Sequence, residues 1–171
     1  MQTKNNRMGS LKYLHTHMEV ADSYHSIALN NHKSADILLK QGLYNEAAYM
    51  YIQAMEKYVD EQICRRVDVI NSFYSKQFHN IGHRLDKSIE FLIEIYSGSN
   101  ITLKEQLKSQ LIQNILKGLK FSSIHNNLRY PYYNDKKNDY CFLTYSQKDC
   151  IELQQMTDRL IKFLKEIYIR L

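Results

Sequence analysis

Glycine and proline are scarce, with five and one in 171 residues. So few turn-formers exclude a fold of many short strands. No apolar run approaches the roughly 18–20 residues of a membrane span. The N-terminal "MQTKNNRMGSLKYLHTHMEV" holds no apolar stretch long enough for a signal peptide. The expectation is a soluble, cytoplasmic protein with no membrane partner. Cysteine is limited to Cys64, Cys141 and Cys150, with no CxxC pair. Neither a zinc site nor a disulfide framework is indicated, and reduced thiols are expected. No block of five like charges occurs, and the formal charge of +5 permits an anionic partner without demanding one. A GxxxxGK[ST] phosphate loop and a GxSxG elbow are both missing. No cofactor is expected.

What is present is helical periodicity, in a chain long enough to bury roughly 70% of its unfolded surface. Ser10 is a candidate N-cap. After it, Leu14, Met18, Ala21, His25, Ala28, His32, Ala35 and Leu39 recur at steps of four and three, one face of a helix. That segment is one helix or two broken at Asn30-Asn31, closed by Gly42. Asn45 is placed as the cap of the next helix. Its stripe is Tyr44, Ala47, Ala48, Tyr51, Ile52, Met55, Val59 and Ile63. Asn45, Glu46, Glu56, Lys57, Asp60 and Glu61 face elsewhere, and the carboxylate pairs Asp60-Glu61 and Glu90/Glu94 are read as lying on solvated faces. Asn71–Gly82 reads as a mixed connection, and His83–Tyr96 as a helix ended by "SGSN". Leu103, Leu107, Leu111, Ile115 and Leu119 step by four, a helix running towards His125 and stopping near Pro131. Residues 132–145 read as a loop. Ser146 starts the last helix, with Asp149 in its first turn.

The fold class expected is therefore all-α, an up-and-down bundle of about five helices. Residues 1–32 form an N-terminal extension, helical from about residue 10, and residues 33–171 form the bundle. Seven histidines are present, but only His79 and His83 have ligand-compatible i, i+4 spacing. No HExxH glutamate and no third ligand accompany them, so no metal is expected.

Three segments resemble the HEPN family of helical modules. In "ADILLKQGLYNEAAYMYIQAMEKYVDEQI" the matching residues are Ala48, Gln53, Ala54, Glu56 and Lys57. In "GHRLDKSIEFL" they are His83, Leu85 and Ile89. "LRYP" at 128–131 is similar to the "RYP" that closes the fourth helix in one branch. The three come in family order over roughly residues 33–168. The resemblance implies a four- to five-helix bundle that commonly dimerises, in a prokaryotic toxin–antitoxin or defence setting. It also implies a possible small nucleotidyltransferase, or another defence protein, as partner. Many members are metal-independent endoribonucleases marked by an arginine, four to six residues, and a histidine.

No R-x(4–6)-H occurs in this chain. The nearest spacing is Lys120-x4-His125 in "KFSSIH". Lysine supplies charge without the planar fork of arginine. A tyrosine two residues after the catalytic histidine, a nucleotide-transfer target in the family, is here Asn127. Two readings of "HNNLRYPYY" result. In one, Lys120 and His125 cleave RNA, the histidine moving the proton of a ribose hydroxyl. In the favoured one, Asn126, Asn127, Arg129, Tyr130, Tyr132 and Tyr133, with His83, bind RNA, a nucleotide or a protein without strong nuclease activity. A third possibility is a structural subunit of a larger complex.

Overall fold

The computed structural model describes residues 9–121 and 124–170, without the side chains of 125, 126 and 168–170. It is an all-α bundle with one small hairpin. Helix α1 is His17–Lys40, and α2 is Tyr44–Arg66. They are followed by α3 (Ser72–Ile81), α4 (Leu85–Ser97) and α5 (Ile101–Lys108). A π-helical stretch, Ser109–Ile115, prolongs α5. A single turn α6 (Ile124–Asn127), strands β1 (Tyr132–Asn134) and β2 (Asp139–Cys141), and α7 (Gln147–Arg170) complete the order. No helix among the described residues is long and apolar enough to cross a membrane.

Helix α1 starts later than Ser10. Thr16 and Glu19 form a reciprocal capping box, Glu19 N–H donating to Thr16 Oγ1 and Thr16 N–H to Glu19 Oε2. That satisfies two donors the first turn leaves open. The helix then runs unbroken through Asn30-Asn31 and ends as expected, with Gly42 at φ +74°. Asn45 is not the cap of α2. It sits inside the first turn, accepts from Tyr145 N–H at 2.7 Å and donates to Leu143 C=O at 3.0 Å. It thereby pins the segment leading into α7. The connection after α2 contains a helix, α3, capped by Asn71 accepting from Phe73 N–H.

The long leucine helix breaks before residue 120. In the π-helical turn Leu116 N–H reaches back five residues to Leu111 C=O. This widening shifts the phase of the side chains. Lys117 and Gly118 follow, both at positive φ (54° and 70°), and turn the chain away. "HNNLRYPYY" is therefore not a helix end. It holds a separate helical turn and then a strand. Tyr132, Tyr133 and Asn134 pair antiparallel with Cys141, Tyr140 and Asp139, so part of the expected loop is a hairpin. Asn134 Oδ1 accepts from Lys136 and Lys137 N–H, which shapes its turn. Ser146 and Asp149 cap α7 reciprocally, as expected.

Helix α2 is the hub, packed against α1, α7 and α4. Ala21, Ala28 and Ala35, one every two turns of α1, are fully buried, as are Ala47, Ala48 and Ala54 of α2. Small side chains on both helices leave no room to spare along this seam. Asp36 joins three helices, accepting from Tyr51 O–H at 2.6 Å and Gln154 Nε2 at 2.8 Å. Ala28→Leu should therefore destabilise the fold by about 1–3 kcal/mol in urea unfolding, through overpacking. The exposed Ser26→Ala should stay within about 0.5 kcal/mol. An unchanged midpoint for Ala28→Leu would contradict this seam.

Candidate functional site

Four charges in the middle of α2 are not solvated. Glu56 is 1% exposed and Asp60 3%, with Lys57 and Glu61 also buried. The expectation of an open polar face fails because α1 and α4 close over it. Buried charge must be paired, and here the partners come from α2 itself and from neighbouring elements. Lys57 Nζ lies 2.5 Å from Glu56 Oε1 and 3.2 Å from Asp60 Oδ2. Ser88 of α4 donates to Asp60 Oδ1 at 2.9 Å. His83 Nδ1, on the link before α4, lies 3.1 Å from Glu56 Oε1. Gln53 donates to Glu56 Oε2 at 3.4 Å. One turn further on, Glu61 is held by His25 of α1 at 3.0 Å and by Arg65 at 2.9 Å.

Burial pushes the Asp60 carboxyl up to about 6, the Lys57 ammonium pulling it down and Glu56 pushing it up. Burial works against the Lys57 ammonium, but Asp60 and Glu56 outweigh it and hold its pKa above the ordinary value. Tyr24 of α1 is pushed up to about 12, first by burial and then by Asp60. Its ring lies 5.4 Å from Lys57 Nζ. A cleft of about 550 Å³ opens beside this cluster, lined by Tyr24, Lys57, Asp60, Phe78, His79 and His83 among others.

The expected site residues do not form one cluster. His83 belongs to the α2 cleft, with 71% of its side chain exposed. Lys120 is exposed and borders another crevice, with Asp86, Lys87 and Glu90. Arg129 lies at the N-terminal end of α2, its guanidinium carbon 5.6 Å from the Tyr49 ring centroid and 5.2 Å from that of Tyr130. Tyr130, Tyr132 and Tyr133 are exposed, and the Tyr133 and Tyr140 rings meet edge to face at 5.4 Å. Asn127 is half-buried in α6. The side chains of His125 and Asn126 lie outside the described residues.

Among the described residues, no three His, Cys, Asp or Glu side chains converge on a metal position. Sequence reasoning passed over Ser88 and Tyr24, and it placed Glu56, Lys57 and Asp60 on the polar face of their helix without joining them in a site. No known family model, curated protein or solved structure matches the chain.

Asp60 makes a pH prediction. Its folded pKa of about 6 is raised above the ordinary 3.8. Stability from the neutral form is therefore complete below pH 3.8 and lost as pH rises through about 6. Asn mimics the neutral carboxyl. Between pH 4 and pH 7, Asp60→Asn should gain about 2 kcal/mol on the wild type in urea unfolding, most of what a shift of about two units supplies. A gap that does not change with pH would refute the burial of an ionised Asp60.

Proposed function

We propose that the chain is an RNA-binding helical protein of HEPN-like type, acting as a binding or regulatory subunit rather than a nuclease. The observation that carries this reading is Arg129 set between the Tyr49 and Tyr130 rings beside the exposed tyrosines of the hairpin. A guanidinium stacked on aromatic faces keeps its N–H edge for a phosphate, and it does so with little further loss of freedom. Exposed tyrosines give unpaired bases faces on which to stack. Lys136 and Lys137 in the hairpin turn offer cationic contacts, although Asp135 and Asp139 balance them in net charge.

Binding is favoured over cleavage by the placement of Lys120. It borders a crevice with two carboxylates, Asp86 and Glu90, and Arg129 does not line that crevice. The order of the three HEPN-like segments supports the family assignment, and with it dimerisation and a defence or toxin–antitoxin setting.

A fluorescently labelled single-stranded RNA should bind the full chain with an affinity that falls as salt rises. Arg129→Ala and Tyr130→Ala should each weaken binding about tenfold, the scale of one lost stacking or phosphate contact. Arg129→Lys should recover only part, because it keeps the charge but not the fork. Binding that is indifferent to both Arg129→Ala and Tyr130→Ala would sink the proposal. RNA cleavage abolished by Lys120→Ala would favour the nuclease reading instead.

A further inference from the structure

We propose that the cleft between α1, α2 and α3 is a binding site for a small organic cation, an amine or guanidinium carried on an apolar body. The cleft is roomy enough: about 550 Å³ falls within the roughly 300–1,000 Å³ of small-molecule sites. Its polar and aromatic parts are Tyr24, Lys57, Asp60, Phe78, His79 and His83, and the rest of the lining is mainly aliphatic.

The first argument is charge. Two carboxylates, Glu56 and Asp60, share one ammonium, Lys57. Among the described residues, His83 is the one further basic group in an ion pair with either carboxylate. The two carboxylates thus outnumber the one ammonium that bridges them. A buried charge without a counterion is costly, and a bound cation offsets that cost. Of the two carboxylates, Asp60 lines the cleft and is the one a bound cation would meet.

The second argument is acceptor capacity. Asp60 Oδ1 accepts from Ser88 and Oδ2 from Lys57. A carboxylate has about four acceptor positions, and these two bonds, among the described residues, use two of them. The third is the aromatic wall. Phe78 meets Tyr24 edge to face, with centroids 5.8 Å apart at 87°, and both rings line the cleft. The Lys57 ammonium lies 5.4 Å from the Tyr24 ring centroid, within the range at which an aromatic face attracts a cation. The fourth is exclusion of a metal ion: among the described residues no three donor side chains converge. Donor-bearing cations with an apolar body fit all four.

This inference stands apart from the RNA proposal, since the cleft is lined by neither Arg129 nor Tyr130. The test is calorimetric titration of the full chain with phenethylamine, with its neutral isostere 2-phenylethanol, and with AMP as an anionic probe. Phenethylamine should bind at least about tenfold tighter than the alcohol, a difference set by the cation's interactions alone. Asp60→Asn, nearly isosteric, should erase that preference. Phe78→Leu, which keeps apolar bulk but removes the ring, should weaken the amine more than the alcohol. Lys120→Ala should change nothing. Equal binding of amine and alcohol would mean an apolar hollow only, and would overturn the proposal. So would tighter binding of AMP, no amine binding at millimolar concentration, or a preference that survives Asp60→Asn in a folded variant.

Discussion

The fold depends on putting a charged helix in the middle of the bundle. Helix α2 is buried along nearly its whole length, polar side chains included. Such a helix is stable only if every charge on it finds a partner, because an unpaired buried charge costs several kcal/mol. The partners come from different directions. His25 and Asp36 lie on α1, Ser88 on α4, and His83 on the link between α3 and α4. Rotating α2 about its axis would break these pairs together. The polar pairs therefore constrain the rotation of α2, while the apolar surfaces supply most of the attraction.

This division explains what could be read from the residues. The apolar stripe of α2 is legible because Tyr51, Ile52, Met55, Val59 and Ile63 recur at helical spacing, and all are buried. The other face is not legible in the same way. Periodicity shows that Glu56 and Asp60 share a side, but not whether water or protein covers it. Their partners His83 and Ser88 lie 27 and 28 residues away. Local pattern carries no signal for a pairing at that distance. A composite clue does exist: α2 is hydrophobic or small on most of its circumference, which is the mark of a central helix.

The break after α5 was hidden for a different reason. Leucine spacing continues through Leu111, Ile115 and Leu119, so the pattern extends past the point where the helix stops. Lys117 adopts positive φ, an uncommon state for lysine that composition does not announce. Gly118 alone was a weak marker. The hairpin was similarly faint, with strands of only three residues each. Its best signal was the Asn134–Asp139 run of turn-forming residues between tyrosines. The helix caps at Asn71, Asn100 and Ser146 obey simple local chemistry and sit where such residues favour them.

Helix α2 also joins the two surfaces that carry function in this reading. Tyr49, against Arg129, and Glu56, against His83, are seven residues apart and so lie on one face about 10 Å apart along the axis. A rigid helix with a paired, close-packed interior holds both at fixed separation. The same burial makes site and stability hard to separate. Removing Lys57 strands two carboxylates in the core, so a loss of function in such a variant says little about ligand contact. A replacement that keeps shape and one acceptor oxygen, as Asn does for Asp60, removes the charge with little change in packing. At the exposed end, Arg129 carries no such burden, because its contacts are rings at the surface rather than a buried ion pair. The two surfaces thus differ in what a substitution reports: at Arg129 binding alone, and at Asp60 binding together with the electrostatics of the core.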